Sequence, residues 1–534
     1  MTRIFRAPFP LLVAGLVLLG SLVLPQSVTA QPITAQRQAI AEAASSDEAL
    51  AQFYRDRNFE PVWATTDAAA RRNALLTVLD RVEDHGLPVS RYDADVLRAA
   101  FRDADTPYAR GQADVLASRM FLQYARDVQS GMLDPDEVVS DIVKDLPRRD
   151  PLEQITEFTA TDSPYEFMRS LPPSHPEYVR LMREKLRLER VLGAGGWGPA
   201  VPGGALEPGD TGGGVIALRN RLIAMGYLGR SATATYDTAL QTAVQRFQED
   251  HGLTPDGEAG TETLAEINVG VETRLGQIIL GMERQRWMNR DRGERHILVN
   301  IADFHAYVID GEEATFETRV VVGHRDRNRH TPEFSDVMEH MIINPSWNVP
   351  RSIAVNEYLP QMRNNPGAAG HLQLVRGGRV VSRQGIDFSQ YTARNFPFDL
   401  RQPPSSRNAL GEVKFMFPNR HNIYLHDTPS RNLFDRQVRA YSHGCVRVHR
   451  PQELAYHLLA PQEEDPEAVY QTHRQSGRET QINLETQIPV HLVYWTAWIT
   501  PEGRVNYRDD VYGRNALLWQ AMQDAGVAVR AVTS

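Results

Sequence analysis

Residues Ile423 to Val448 read IYLHDTPSRNLFDRQVRAYSHGCVRV and hold the only cysteine of the 534-residue chain, Cys445. Ser442, His443 and Gly444 come directly before it. A thiol attacks a carbonyl as a thiolate, so it needs a base or a positive field nearby to lower its pKa. It also needs N–H donors for the developing oxyanion, and a glycine lets the backbone turn such donors inward. The stretch therefore predicts a cysteine nucleophile.

Two histidines are candidate bases for this thiol. His426 ends a short apolar run upstream, whereas His443 lies two residues before Cys445. A residue two places before the nucleophile on a tight turn shapes the loop rather than facing the thiol, so we favour His426 and expect His443 to support the site. The alternative is a plain buried cysteine, because lone cysteines are commonly small core residues. The polar Ser-His-Gly frame would fill a core poorly and argues against that alternative.

Residues 1–30 are typical of a secretory signal peptide. Arg3 and Arg6 give a basic start, Leu11 to Leu24 is almost purely apolar, and Val28-Thr29-Ala30 offers small residues for cleavage. An uncleaved membrane anchor is the alternative, but the apolar run is short for a bilayer span. We expect a soluble periplasmic protein with no stable membrane span after cleavage. An unpaired thiol in an oxidising compartment favours a reactive role.

Composition excludes several other classes of function. The formal net charge of −9 argues against a nucleic-acid partner, which would normally meet a basic surface. One cysteine allows neither an intrachain disulfide nor a thiolate metal cluster, and His421 with His426 alone does not make a metal site. We therefore expect no metal and no organic cofactor.

The order and spacing of the stretch resemble a known family. His426, fifteen further residues and then Ser442-His443-Gly444-Cys445-Val446-Arg447 resemble the signature of the L,D-transpeptidase catalytic domain of the YkuD type. Ile343 to Pro350 and Asn408 to Asn419 are similar to segments of the large Gram-negative murein L,D-transpeptidases. The resemblance covers most of the chain and is weaker before residue 205.

The hydrophobic periodicity changes from helical to strand-like along the chain, which predicts a multidomain α+β protein. We expect the following parts: a signal peptide at 1–30, a helical scaffold domain at 31–200, a three-helix module resembling the type 1 peptidoglycan-binding domain at 205–270, a mainly-β L,D-transpeptidase catalytic domain at 290–500 with a lid insert at 351–408, and a C-terminal hairpin and helix at 501–534. An unrelated helical module and a disordered insertion are the alternatives for the scaffold and the lid. The charges from Lys144 to Asp150 are expected to be solvated.

The resemblance implies a ping-pong acyl transfer on peptidoglycan. Cys445 would attack the meso-diaminopimelate carbonyl of a tetrapeptide stem, expel D-Ala and pass the acyl group to an amine of a neighbouring stem, which gives a 3–3 cross-link. The implied partners are these stems and cell-wall regulatory proteins, and carbapenems would acylate the cysteine. The residues themselves indicate only acyl transfer. A cysteine L,D-carboxypeptidase or endopeptidase and a non-catalytic wall-binding scaffold stay open.

The remaining site residues receive supporting roles. N–H groups around Gly444 and Cys445 would form the oxyanion hole. The main-chain carbonyl of Asp427, or alternatively its carboxylate, would orient His426. Arg447 would meet a substrate carboxylate, although a surface ion pair is the alternative. Ser442 would form hydrogen bonds within the turn.

Overall fold

A computed structural model describes residues 34–533, so the predicted signal peptide at 1–30 lies outside the described residues. Helices occupy the first half of the described chain. They are α1 (Ala35–Ala44), α2 (Glu48–Asp56), α3 (Ala69–Leu79), α4 (Ala94–Arg102), α5 (Pro107–Ser130), α6 (Pro135–Val138), α7 (Pro151–Ala160), α8 (Pro164–Ser170), α9 (Pro176–Gly193), α10 (Gly213–Met225), α11 (Thr238–Asp250), α12 (Thr261–Ile267) and α13 (Val271–Trp287). No helix among residues 34–533 is long and apolar enough to cross a membrane.

Strands dominate the second half. In chain order it contains β1 (Arg295–Asn300), β2 (His305–Asp310), β3 (Glu313–Gly323), β4 (Phe334–Ile343), β5 (Trp347–Asn348), α14 (Arg351–Ile353), α15 (Leu359–Asn364), β6 (Gln373–Arg376), β7 (Arg379–Val381), β8 (Asp399–Gln402), β9 (Val413–Met416), β10 (Leu425–His426), β11 (Ala440–Ser442), β12 (Val446–Val448), α16 (Pro451–Leu459), α17 (Pro466–Gln475), β13 (Thr480–Val493), β14 (Ala497–Ile499), β15 (Val505–Tyr507) and α18 (Arg514–Asp524). Short 3-10 helices lie at Thr66–Ala68, Val82–His85, Val89–Arg91, Arg327–Arg329, Phe388–Gln390 and Arg431–Asp435, and a π-helical turn at Ala354–Tyr358.

The scaffold packs around the long helix α5. Thr106 caps this helix by accepting the Ala109 N–H, and Pro107 occupies the first turn, where a missing N–H does no harm. The core joins Phe121 of α5 to Ile278 of α13 and Leu518 of α18. The C-terminal helix α18 therefore packs against the scaffold.

Helices α10, α11 and α12 form a small module with its own core. Leu218, Val244 and Phe247 are fully buried there, so Phe247 fills the core rather than offering a flat face to a sugar. Trp197, in the Gly/Pro-rich linker before the module, is buried against the scaffold core. The Arg221 guanidinium lies 5.9 Å from the centre of its ring.

The sheet-rich region from β1 to β13, apart from the insert, is a closed barrel. Among the described strands, β3, β12, β10, β9, β4, β13, β1 and β2 follow one another by hydrogen bonding, and β2 pairs again with β3. Closure removes free sheet edges and buries one face of every strand in a common core. Strand β11 attaches to β3 outside this ring.

The insert between β4 and β9 is folded. Strands β5, β8, β6 and β7 form a separate sheet, and α14, the π-helical turn and α15 pack on it. Met362, Leu374 and Phe398 are buried in a core that belongs to the insert alone. The alternative of a disordered insertion is therefore wrong, whereas a lid role stays a prediction.

Two apolar runs fold in different ways. In the run Ile423 to Leu425, β10 begins only at Leu425, because the Asn419 side chain hydrogen-bonds both main-chain groups of Ile423 and holds a loop there. In the run Val490 to Ile499, the first part belongs to β13 and pairs in parallel with β1, whereas the last part, β14, forms a hairpin with β15.

Candidate active site

Side-chain alternation along three neighbouring strands decides which residues face the candidate site. Leu425 of β10 pairs with Val446 of β12, and both are buried in the barrel core. Consecutive strand residues point to opposite faces, so His426 and its partner Arg447 lie on the outer face. Lys414 of β9 pairs with His426 and shares that face. The three strands thus present a row of one imidazole between two cations.

This row lines a cavity of about 1190 Å³. Tyr424 and Cys445 also line it from the barrel side. Trp347 and Tyr358 contribute from the β5 region and the π-helical turn of the insert. The cavity therefore lies between the barrel and the insert, as a site covered by a lid would.

Cys445 is held as a neutral thiol. Its Sγ lies 3.6 Å from the main-chain carbonyl of Asn422, to which it can donate. Burial raises the pKa of the Cys445 thiol to about 11, although hydrogen bonds from Tyr424 and the charge of Arg447 oppose this rise. The lowered pKa expected from the sequence is therefore wrong for this arrangement, because the cost of desolvating a thiolate exceeds the gain from its neighbours.

His426 is a buried neutral imidazole. Its Nδ1 lies 2.5 Å from the main-chain carbonyl of Asp427, which can only accept, so Nδ1 carries the proton and Nε2 keeps a free lone pair. Burial, followed by the charge of Arg447, lowers the pKa of His426 to about 3. The Asp427 carboxylate instead accepts the Glu412 N–H at 2.9 Å, so the carbonyl is the group that orients the ring. Among the described residues no hydrogen bond joins His426 to Cys445.

The turn before Cys445 uses one of its predicted oxyanion donors internally. Gly444 donates its N–H to the Ser442 hydroxyl at 3.0 Å, and that hydroxyl donates to the Cys445 carbonyl at 2.6 Å. The Gly444 N–H is therefore occupied, which corrects its expected place in the oxyanion hole. The Cys445 N–H has no acceptor among the described residues and stays available. Ser442 forms hydrogen bonds within the turn, as its position suggested.

His443 contacts the insert. Its Nε2 lies 2.5 Å from the Glu357 carboxylate on the π-helical turn of the insert. Both side chains are partly exposed, at 34% and 45%. Both histidines line the cavity, but the Nε2 atom of His443 is occupied by Glu357, whereas that of His426 keeps a free lone pair.

Arg447 is half-buried and pairs with no carboxylate among the described residues, and its Nε has no hydrogen-bond partner. The surface ion pair considered as an alternative is thus absent from residues 34–533. Sequence reasoning missed Lys414 and Tyr424. The alternation of Val413-Lys414-Phe415, with its apolar residues in the core, could have identified Lys414 as a cation on the outer face.

No group of three or more His, Cys, Asp or Glu side chains within residues 34–533 could hold a metal ion. The site offers instead a thiol, a neutral imidazole, a free N–H and two cations. This set suits attack on a carbonyl carbon that belongs to an anionic molecule.

Comparison with known families agrees with this geometry. Three family models match the chain: "Scaffold domain" over residues 48–184, "Putative peptidoglycan binding domain" over 211–267 and "L,D-transpeptidase catalytic domain" over 294–477. The last range contains His426 and Cys445. Residues 294–477 therefore form an L,D-transpeptidase catalytic domain. The predicted fold class, a helical first half followed by a mainly-β L,D-transpeptidase domain, is thereby confirmed.

A relative from Haemophilus influenzae, named "Putative L,D-transpeptidase", is 34% identical over 237 residues. That match covers 44% of this chain and 47% of the relative, so it spans about half the length of each. A solved structure of an L,D-transpeptidase from Xylanimonas cellulosilytica is 16% identical, with a TM-score of 0.16, and covers 55% of this chain and 98% of that one. The family implies an acyltransferase.

Proposed function

We propose that the protein is a periplasmic murein L,D-transpeptidase that forms 3–3 cross-links by acyl transfer through Cys445. One observation carries this proposal: a single cavity presents the thiol, the neutral His426 and two cations that have no carboxylate partner among the described residues. A family model for peptidoglycan binding matches the same chain and supports a substrate in the cell wall. An enzyme acting there would work outside the cytoplasmic membrane.

In the first half-reaction, His426 Nε2 takes the Sγ proton while the thiolate attacks the carbonyl carbon of the donor stem. The pKa values of about 11 and about 3 keep the resting pair neutral, so the proton moves as the C–S bond forms rather than before. The Cys445 N–H donates to the oxyanion, and such a donor is typically worth ~3 kcal/mol. The intermediate collapses, and the departing D-Ala amine takes the proton from His426.

In the second half-reaction, an amine of a neighbouring stem attacks the thioester and gives its proton to His426. The C–S bond breaks, and Sγ recovers the proton from Nε2. Each proton taken is returned, so the cycle needs no cofactor. Water in place of the amine would give a carboxypeptidase from the same intermediate.

Lys414 and Arg447 support an anionic donor. Both flank His426 on the cavity face, and neither has an ion-pair partner among the described residues. A charge that is half-buried and unpaired is costly, and a substrate carboxylate would offset that cost. The tetrapeptide stem carries such a carboxylate at its C-terminus, next to the bond that is cut.

The test is a digest assay with the mature protein and disaccharide-tetrapeptides, analysed by mass spectrometry beside Cys445→Ala. We expect a dimer lacking one D-Ala, absent with the variant. Tripeptide without dimer would replace the proposal with the carboxypeptidase. No conversion, with binding to sacculi retained, would leave the wall-binding scaffold.

Carbapenem acylation offers an independent test of the nucleophile. A strained lactam carbonyl should form a covalent adduct with Cys445, seen as a mass increase of the intact protein. The Cys445→Ala protein is the control. An unchanged mass of the unaltered protein would contradict the expected reactivity.

A further inference from the structure

The scaffold contacts the catalytic barrel through a short segment, Asp141 to Lys144, that follows α6. Val143 donates its N–H to the Glu333 carbonyl, and Glu333 donates its N–H to the Asp141 carbonyl, both at 2.8 Å. Lys144 donates to the Leu492 carbonyl of β13 at 2.9 Å, and burial lowers its pKa to about 8. The expectation that Lys144 is solvated was therefore wrong: it is part of a domain contact.

The same segment binds the loop that leads into β4. The Asp141 carboxylate lies 2.8 Å from His330 Nδ1, and this contact lowers the pKa of Asp141. His330 Nε2 lies 2.9 Å from the Arg325 carbonyl. The His330 ring stacks on Tyr512, with ring centres 4.0 Å apart. Contacts on both edges and one face hold this ring in place.

Thr331, the next residue, is fully buried and extensively bonded. Its hydroxyl accepts the Gly323 N–H at 2.8 Å, and its carbonyl accepts from Arg514 at 2.9 Å. Arg514 in turn pairs with the buried Glu333 at 2.9 Å. The Thr331 hydroxyl also donates its proton to the Gly444 carbonyl at 2.7 Å.

That last hydrogen bond reaches the nucleophile. The Gly444 carbonyl and the Cys445 N–H belong to one planar trans peptide unit, in which C=O and N–H point in opposite directions. A hydroxyl that holds the carbonyl therefore also decides where the Cys445 N–H points. Of the two predicted oxyanion donors, the Gly444 N–H is bound to Ser442, whereas the Cys445 N–H has no acceptor among the described residues.

We infer that Thr331 is a positioning residue that aims the Cys445 N–H at the oxyanion, and that the scaffold supports it through Asp141 and Val143. The inference rests on the proposed acyl transfer for its catalytic consequence. It makes the scaffold a structural support of the active site, connected to the Cys445 turn through His330 and Thr331.

Thr331→Val tests the hydroxyl, because valine keeps the shape and removes both hydrogen bonds. We expect kcat for dimer formation to fall by about tenfold or more, with KM little changed, since a misaimed donor affects the transition state. Alkylation of Cys445 by iodoacetamide should keep its rate, because that displacement forms no oxyanion. Thr331→Ser restores the hydroxyl and should restore kcat. An unchanged kcat in Thr331→Val, or an equal fall in both reactions, would overturn the inference.

Asp141→Ala tests the scaffold side, with Asp136→Ala as a control, because Asp136 is an exposed scaffold acid with no ion pair among the described residues. We expect faster hydrogen–deuterium exchange in peptides covering residues 440–448 for Asp141→Ala and Thr331→Val, and no change for Asp136→Ala. This readout needs no turnover. Absent turnover in the unaltered protein would therefore refute the proposed function alone, whereas unchanged exchange in both variants would refute the positioning role.

Discussion

The turn that carries Cys445 contacts two parts of the molecule, and the two contacts differ in burial and charge. On one side the fully buried Thr331 holds the Gly444 carbonyl by a neutral hydrogen bond. On the other side His443 meets Glu357 of the insert in a contact that solvent reaches. Breaking a buried bond leaves an unsatisfied group and costs about 1–3 kcal/mol. An exposed ion pair contributes only ~0–1 kcal/mol and weakens in salt.

This difference separates permanent support from a contact that can open. The buried Thr331 contact has the properties expected of a group that fixes the orientation of the Cys445 N–H, the proposed oxyanion donor. The insert side has the properties expected of the predicted lid, which would open to admit the proposed stem peptides and close over them. The following experiments test whether the two sides differ in this way, beginning with the largest expected effect.

His426→Ala should lower dimer formation by about 10²–10⁴-fold, because it removes the group proposed to accept the thiol proton. His443→Ala is the control on the insert side and should lower it far less. The measurement is the rate of dimer formation from disaccharide-tetrapeptides by each variant, at a temperature at which both variants are folded. A larger loss in His443→Ala would make His443 the base and reverse the comparison.

Gly444→Ala should distort the Cys445 turn where Thr331 holds it, and should lower both stability and activity. Gly444 has φ +114°, and an added Cβ would lie 3.2 Å from Ile423 Cδ1 and 3.3 Å from the His330 carbonyl. We expect a stability loss of about 1–3 kcal/mol from backbone strain, with an accompanying loss of activity as the turn shifts. Denaturant unfolding and the dimer assay measure the two effects.

Gly477→Ala is the matched control for that change. Gly477 also has a positive φ, +64°, but nothing lies within 4 Å of the position that an added Cβ would occupy. It should lose stability from strain while it keeps its activity. Equal loss of activity in both variants would mean that Gly444 matters only for stability.

The pH dependence of Cys445 alkylation should show that Cys445 and His426 are both neutral in the resting protein. With the pKa of Cys445 raised to about 11, the thiolate fraction grows as pH rises, so the rate should climb through neutral pH. With the pKa of His426 lowered to about 3, the imidazole does not titrate between about pH 5 and 9. The measurement is the rate of Cys445 alkylation by iodoacetamide across that pH range. A plateau beginning near pH 6 would instead indicate a thiolate–imidazolium pair.

Glu357→Gln should have the smallest effect. Loss of an exposed ion pair should change KM by at most about fivefold and leave kcat nearly unchanged. The salt dependence of KM should weaken as well. Asp387→Asn is the control, because Asp387 is an exposed acid of the insert whose side chain, within residues 34–533, forms hydrogen bonds only in its own turn. A large fall in kcat would show that the insert side is as rigid as the Thr331 side.

The catalytic-domain family could be predicted from local sequence, because His426 and Cys445 lie within 20 residues and carry the motif between them, and the same motif supplied the proposed nucleophile and base. Hydrophobic periodicity likewise predicted the order of helical and sheet-rich parts, since it reflects which face each element buries. The predicted domain boundaries remain predictions.

Contacts between distant residues could not be predicted in this way. The Thr331–Gly444 bond joins residues 113 apart, and the Asp141–His330 contact joins residues 189 apart. The use of the Gly444 N–H by Ser442, and the pKa directions of Cys445 and His426, depend on how the turn and the cavity are packed. A linear motif specifies which groups are present, whereas burial and orientation arise only when the barrel, insert and scaffold come together.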